Sequence, residues 1–313
     1  MTLHPPAQGN DAAFTLSRER RSTVRVRPTT ARAQVGSVAL ARSTAFGGIT
    51  ALKGGAFETR LQPHVHSSYV IGVVDDGAVE VTVNGVSAIA TAGSVIVISP
   101  FVVHTEIPLA PGGWSFRYLY PNESAVREIL GDSPRYRAAL PFPCPVLADP
   151  GLASAIRNLD DDLRATGDRA VTESRFAEIV RAAAAHSHTS AHAPRERRNV
   201  QAVRTLITQR TQRNVSLGDL AAAAGLSPFH FLRVFKAEVG LPPYAYFEQV
   251  RIAYANEMLC AGVEPSEVAY LLGFTDQSHL NRQFGRGSFT TPGRLSRLAS
   301  QALDHARSTR ARR

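Results

Sequence analysis

Cysteine is nearly absent: Cys144 and Cys260 are the only two in 313 residues. They lie far apart in unlike settings, and a single possible pair is a poor disulfide framework for a chain of this length, so a reducing cytoplasm is the expected setting. Cys144, within Pro-Cys-Pro, has no basic cluster beside it and reads as an inert thiol rather than a redox sensor. Long apolar runs are also missing. No uninterrupted stretch approaches the roughly 18 residues of a membrane span. Near the start, Arg20-Arg21 is followed by Ser-Thr-Val-Arg instead of the apolar core of an export signal. A soluble protein without a membrane partner is expected.

Acidic residues are scarce in one part of the chain only. Residues 1–194 carry 18 Lys/Arg against 17 Asp/Glu, whereas residues 195–313 carry 17 against 9, so nearly all of the net charge of +9 lies in the last third. A basic segment joined to a near-neutral one favours a polyanionic partner for the basic segment alone. No basic amphipathic helix with a large apolar face accompanies it, which disfavours a membrane surface.

That basic segment contains a repeat. Leu220 to Phe235 runs LAAAAGLSPFHFLRVF, and Val268 to Phe284 runs VAYLLGFTDQSHLNRQF. Each has an apolar helical turn, a glycine (Gly225, Gly273), an N-cap signal (Ser227-Pro228, Thr275-Asp276) and a second helix with His, Arg and Phe in the same order. The pattern is that of a duplicated helix-turn-helix, set against a mere stack of helical hairpins. In the first unit Phe231, Val234, Phe235 and Glu238 share one face. Phe229, Leu232, Arg233 and Lys236 share the other, which suits a major groove: Arg233 for guanine, Phe229 and Leu232 for thymine methyls, Lys236 for a phosphate. In the second unit Leu280 and Phe284 are the anchors, leaving Gln277, Ser278, Asn281 and Arg282 as readers. The alternative for each is a solvated helix face. Tyr244 to Cys260 lacks internal Gly or Pro and predicts a connecting helix of about 25 Å, of the right order to hold two recognition helices about one DNA turn apart. One chain would then read an asymmetric site.

These motifs carry a resemblance. The segment from about Arg198 to Arg297 resembles the DNA-binding domain of AraC/XylS-type bacterial transcriptional regulators, most specifically through GFTDQSHLNRQF with the following TPGR at Thr291 to Arg294, and through GLSPFHFLRVFK in the first unit. The resemblance implies seven helices, double-stranded promoter DNA as partner, RNA polymerase as a second one, and most often activation. One departure stands out: Gly240, which ends the first recognition helix, has Phe289 as its counterpart in the second unit. The second helix is therefore expected to end early, near Gly285 and Gly287.

Upstream, short Val- and Ile-rich runs at Tyr69–Val74, Ala78–Val83, Val86–Ala90 and Ser94–Ile98 are separated by Asp76-Gly77, Asn84-Gly85 and Ala92-Gly93. Strands this closely spaced predict a small barrel or jelly roll. PHVHSSYVIGVVDDG and AGSVIVISPFVVH are similar to the cupin-like effector-binding half of the same family. His64, His66 and His104 fall where metal-dependent proteins of similar fold place three histidines, and three neutral imidazoles can hold Zn or Fe. The carboxylate expected shortly after the second histidine is missing, since Val70 and Ile71 stand there, so no metal or cofactor is assigned. Direct effector contact and a structural role are the other readings. Tyr69, Arg117 and Tyr118 are added as polar contacts for a small-molecule effector, inside an apolar interior lined by Val73, Val81, Ile89, Val95, Val97 and Trp114. A filled core is the alternative.

Leu152, Ile156, Leu159 and Leu163 form a helical stripe, and Phe176, Ile179, Val180 and Ala183 a second. They either cover the barrel or make a homodimer seam, with the dimer slightly preferred. AAAAHSHTSAHAPRERR from Ala182 to Arg198 reads as a polar linker, although His186, His188 and His192 could also be metal ligands. The expected class is thus α+β and multidomain: an arm (1–36), a cupin-like sensor barrel or jelly roll (37–122), a helical cover or dimerisation segment (123–185), a linker (186–197), an all-α domain with two helix-turn-helix subdomains (198–300) and a basic tail (301–313). The expected function is an effector-controlled, DNA-binding transcriptional regulator and not an enzyme. A metal-dependent cupin enzyme fused to a DNA-binding domain is the alternative.

Overall fold

The computed structural model describes residues 36–43, 46, 48–131, 140–165, 168–187, 195–211 and 215–311, all within the compact unit Ala33–Arg313. The expected arm up to residue 35, and with it His188 and His192 of the linker, lie outside the described residues.

The first half is an antiparallel β structure in two sheets joined by one long strand. Its strands are β1 (Ser37–Ser43), β2 (Ile49–Phe57), β3 (Leu61–His64), β4 (Val70–Val83), β5 (Val86–Thr91), β6 (Val95–Ile98), β7 (His104–Pro108), β8 (Trp114–Tyr120) and β9 (Val146–Leu147). The order β1-β2-β8-β4-β6-β9 forms one sheet, while β3, β7, β4 and β5 form the second. β4 serves both. Val70–Val73 pair with β6, and Ala78–Val83 pair with β5.

Asp76-Gly77, read from sequence as a turn between strands, is instead the bend within β4. The register against β8 shifts between Val74 and Asp76, and Gly77 takes φ +77. A bulge of this kind turns a strand from one sheet into another without ending it. Asn84-Gly85 is a true hairpin turn, with Val83 paired to Val86 and both turn residues at positive φ (50 and 79). That geometry matches the right-handed twist of the flanking strands.

Strand alternation assigns the side chains to two cores. Val70, Val74, Val81, Ile96, Trp114, Phe116 and Tyr118 point into the barrel, where Trp114 and Phe116 lie 4.8 Å apart and Phe116 and Tyr118 4.4 Å. Ile71, Val73, Val95, Val97 and Leu119 point outward into a second core. That outer core is closed by α1 (Glu123–Leu130), α2 (Pro150–Arg164) and α3 (Arg169–Ala185). The expected interior lining therefore divides: Val81 and Trp114 face inward, Val73, Val95 and Val97 face the helices, and Ile89 is 61% exposed. Ile89 lies on β5, the outer partner of β4, where the alternate face meets solvent.

Leu152, Ile156 and Leu159 are buried against this outer face beside Phe176, Ile179 and Val180, with Leu163 packed at the margin. The stripe that suggested a dimer seam is thus consumed within the chain. Burying a Leu or Ile side chain contributes about 1.5–3 kcal/mol, and here the β sheet supplies the partner surface.

The second half comprises α4 (Arg195–Gln209), α5 (Leu217–Ala224), α6 (Pro228–Val239), α7 (Pro243–Cys260), α8 (Pro265–Leu271), α9 (Gln277–Phe284) and α10 (Pro292–Ala311). The residues expected as a tail continue α10. α7 is buried on several faces: Val250 and Ala253 join the core of the first helix-turn-helix, and Ile252, Ala255 and Leu259 that of the second. A helix apolar on most of its circumference is an interior helix, and α7 is the spine on which both units pack. The two halves also share a core, since Val65 and Val103 of the β half pack with the α4–α7 cluster. Tyr246 Oη donates to Phe101 O at 3.0 Å, and Arg204 donates to the same oxygen at 2.6 Å.

Candidate nucleic-acid interface and effector cavity

Two short helices carry the residues expected to read DNA. α5 ends at Gly225, which takes the left-handed φ of 67 and turns the chain into α6. Phe231 and Phe235 anchor α6 with rings 5.3 Å apart, and Phe235 packs edge-on against Tyr246 of α7. This leaves Phe229 (84% exposed), Arg233 and Lys236 in solvent and Leu232 half-buried. Ser227 occupies the N-cap of α6 without a capping hydrogen bond from its side chain. Asp276 does cap α9: its carboxylate accepts from His279 N at 2.7 Å, which holds its pKa below the usual value. Leu280 and Phe284 are fully buried, and Gln277, Ser278, Asn281 and Arg282 are all exposed. An unpaired Phe229 on the face that also bears Arg233 and Lys236 is poorly explained by folding and well suited to an apolar base edge.

α9 ends at Phe284 after eight residues, whereas α6 runs for twelve before Gly240. The chain that follows α9 is drawn into the β half. Arg286 O accepts from Gln62 N at 3.0 Å. Gly287 lies so close to β3 that a Cβ there would fall 2.7 Å from the Cβ of His64. Phe289 is 8% exposed and enters the barrel aromatics, with ring centroids 4.9 Å from Phe57 and 4.5 Å from Phe116.

Beside this plug lies a cavity of about 250 Å³ whose wall includes Arg42, Leu52, His66 and Tyr120 from the β half, and Asn256, Glu257 and Phe289 from the helical half. Arg42 donates through Nη1 to the carbonyl of Cys260, and its Nε is buried without a hydrogen-bond partner among the described residues.

The three histidines converge at the edge of this cavity. Ring centroids are 4.0 Å apart for His64 and His104, and 5.0 Å for His66 to each of them. His64 Nδ1 lies 2.9 Å from Gln62 O, and His104 Nδ1 lies 3.0 Å from Val102 O. A carbonyl can only accept, so both Nδ1 atoms carry the proton and both Nε2 atoms are acceptors. Those two Nε2 atoms are buried and have no hydrogen-bond partner among the described residues. Burial pushes His64 down to about 4, and His66 and His104 well below the ordinary imidazole value. Nearby on β7, two residues after His104, Glu106 is also buried. Its carboxyl is pushed up to about 7 by burial, opposed by the hydrogen bond that Tyr118 Oη donates to Oε1 at 2.5 Å.

Tyr69 and Arg117 do not join this group. Tyr69 Oη accepts from Leu140 N at 2.8 Å in the outer core. Arg117 Nε donates to Asp75 at 2.7 Å, and Nη1 to Asp161 and, at 3.4 Å, to Asp160. The reason is parity. Trp114, Phe116 and Tyr118 point inward along β8, so Arg117 must point outward, and Tyr69 precedes the inward Val70. Sequence reasoning missed Glu106, Arg42 and the plug Phe289. The one available signal was the large aromatic standing where the first unit has Gly240.

Fold and site together define a two-part protein, a ligand-binding β module closed by one of two DNA-reading helical units. Residues 46–180 match the model of the AraC-like ligand binding domain, and residues 220–297 match that of a helix-turn-helix domain. The chain belongs to the AraC family of transcriptional regulators. It is 27% identical over 226 residues to the uncharacterized HTH-type transcriptional regulator YbfI of Bacillus subtilis, covering 69% of this chain and 80% of that one. It is 26% identical over 251 residues to the transcriptional activator NphR of Rhodococcus, covering 74% and 71%. In fold it is similar to the crystal structure of ToxT from Vibrio cholerae, at a TM-score of 0.51 and 11% identity, over 85% of this chain and 99% of that one. Among the described residues no helix is long and apolar enough to cross a membrane.

Proposed function

We propose that a small-molecule effector occupying the cavity between the halves controls how the second helix-turn-helix is presented to promoter DNA. The observation that carries this reading is Phe289: the loop that follows recognition helix α9 is seated in the barrel, beside a cavity walled by both halves. A ligand there would contact the loop directly, so its affinity would differ between the seated and unseated states. Only such a difference can shift the equilibrium between them. The wall combines Leu40, Leu52 and Leu295 with Arg42 and Asn256, which suits a compact ligand with an apolar body and a polar or anionic end. Of the effector contacts read from sequence, His66 lines this cavity and His64 and His104 stand behind it, with Tyr118 further inside the barrel.

Phe229, Leu232, Arg233 and Lys236 on α6, with Gln277, Ser278, Asn281 and Arg282 on α9, are the proposed readers. α7, at 18 residues or about 27 Å, would hold them about one helical turn of DNA apart. One chain carries both readers, so this mode does not depend on a homodimer. We take the regulated step to be activation in the cytoplasm through contact with RNA polymerase, in line with the relative named a transcriptional activator. The reading calls for no catalysis. Selection of duplexes from a random pool by the full-length protein tests it. An asymmetric site with two conserved blocks about one turn apart is expected, and a pool without enrichment would remove sequence-specific readout.

A further inference from the structure

The histidine cluster has a feature that neither effector recognition nor packing explains. Two fully buried imidazoles, His64 and His104, are each 1% exposed and hold their Nδ1 protons on backbone carbonyls. That arrangement leaves the Nε2 lone pairs of both rings buried with no hydrogen-bond donor among the described residues. A buried acceptor left unsatisfied costs about 1–3 kcal/mol, so an apolar pair would be the more stable filling. The third ring, His66, comes from the same segment as His64. One nitrogen from each ring can be chosen so that all three lie within 4.8 Å of one another.

We propose that His64, His66 and His104 bind one divalent first-row transition-metal ion of the Zn²⁺ or Fe²⁺ class. Three features of the chemistry agree. Neutral imidazole nitrogen is a preferred donor for these ions and not for Mg²⁺ or Ca²⁺, which take oxygen. Metal-bound histidines characteristically donate their second ring nitrogen to a carbonyl or carboxylate, which fixes the tautomer and orients the ring, and both buried rings already do so. Ligand nitrogens about 2.0–2.1 Å from Zn²⁺ would lie roughly 3.4 Å apart in a tetrahedron, a modest closure from the observed spread. His66 borders the cavity, so an ion held by the three rings would lie beside a space that can supply water or a donor atom of a ligand. The carboxylate whose absence after the second histidine argued against a metal is not required, because three imidazoles with one open position is a complete set for a zinc-type site.

The site also adjoins the helical half. His64 sits at the end of β3, whose Gln62 N–H holds Arg286 O, and its Cβ leaves no room for a side chain at Gly287. An ion drawing the three rings together would fix the strand on which the loop after α9 is seated. The proposal does not depend on an organic effector in the cavity, since the ion alone is the ligand.

The test uses tag-free, full-length protein, stripped with a chelator and titrated with Zn²⁺ against a chromophoric competitor. One ion per chain and a rise in Tm are expected, and Co²⁺ in place of Zn²⁺ should show the visible absorption of a low-symmetry nitrogen site. His66→Ala, the substitution least disruptive to folding, and His104→Gln should each weaken Zn²⁺ binding at least a hundredfold while keeping a cooperative melt. A variant with His186, His188 and His192 all changed to Ala should bind as the parent does. The proposal is overturned by a chain that takes up no stoichiometric Zn²⁺ or Co²⁺, or by binding that is lost in the linker variant and retained in the other two.

Discussion

The ring of Phe289, at the base of the second DNA-reading unit, packs edge-on against Phe57 of the sensor barrel with centroids 4.9 Å apart. A residue that sequence comparison of the two repeats marks as out of place is, in the folded protein, the joint between the parts. Its neighbours Arg286 and Gly287 reinforce the joint through the backbone. Any change that unseats Phe289 therefore moves the loop attached directly to α9.

Phe289→Ala should unseat the loop without unfolding the protein. Removing a buried Phe costs about 3–5 kcal/mol when its surroundings cannot relax, and here the loop can leave. Trp114 is the sole tryptophan and lies 6.2 Å from Phe289, so acrylamide quenching of its fluorescence should increase in the variant. Exchange of the Gln62 amide should accelerate, and DNA affinity should no longer respond to a cavity ligand. Unchanged quenching and exchange would show that Phe289 does not hold the halves together.

How much of this was legible beforehand differs from element to element. Asn84-Gly85 and the stripe Leu152–Leu163 announce themselves because hairpin turns and helix faces are local patterns. The histidines could be grouped, since alternation places His64 and His66 on one side of an extended segment. Sequence grouped Tyr69 and Arg117 with the histidines, and the structure places both on the outer side of the sheet; parity along β4 and β8 is fixed only once Val70 and Tyr118 are known to point inward. Asp76-Gly77 misled because a bulge in a long strand and a turn between two strands use the same residues. What closes the barrel comes from more than 170 positions away, and a contact that distant leaves no periodic trace; only the exchange of a glycine for Phe289 hints at it.

The outward Arg117 should matter for stability and not for effector response. It bridges Asp75 to Asp160 and Asp161 of α2, and Arg157 Nε reinforces Asp75 at 2.9 Å. Despite the opposing effect of partial burial, these guanidiniums hold the Asp75 carboxyl below the ordinary carboxylate range. Arg117→Ala would leave the buried Asp160 with Arg164 alone. Truncating one partner of a buried pair costs about 3–5 kcal/mol, and the remaining Arg164 should keep the loss nearer the lower end. Urea melts measure it. A variant of normal stability that had lost ligand response would place Arg117 in the effector site after all.

Ile156→Asp follows the same logic. Ile156 is fully buried between the sheet and α3, so a charge there should destabilise the β half by more than about 3 kcal/mol. A soluble, fully stable Ile156→Asp protein that sedimented at half the parent mass would instead restore the stripe as a dimer seam.

Glu106 should give the metal-free protein an unusual pH dependence. Its carboxyl is raised to about 7 from 4.5, so the folded state holds a proton that the unfolded state releases. The contribution of the neutral group is fully present below about 4.5 and is lost as pH rises through 7, a change of about 3 kcal/mol at 1.36 kcal/mol per unit. The buried neutral histidines act in the opposite sense: with pKa values lowered from 6.5, their contribution is present above 6.5 and lost as pH falls. Glu106→Gln retains an acceptor for Tyr118 and removes only the first effect. Its stability relative to the parent should therefore improve steadily between pH 5 and pH 8. A stability difference that is the same at both ends would mean that Glu106 is ionised throughout.

Readers and positioners on the recognition helices separate by how they lose affinity. Arg233→Ala and Arg282→Ala should each cost about 1–3 kcal/mol at the selected site and relax preference at one base pair, because a bidentate guanine contact is made to one base only. Lys236→Ala, which removes a proposed phosphate contact, should weaken all duplexes alike and lower the slope of log affinity against log salt by about one unit. Phe229→Ala should reduce affinity at sites carrying a thymine at the contacted step and leave the salt slope unchanged, since no charge is removed. The four variants are compared by anisotropy across a salt series on the selected duplex and on single-base variants of it. Equal losses on every duplex for all four would reduce both helices to backbone contacts and leave the sequence preference to the shape of the DNA.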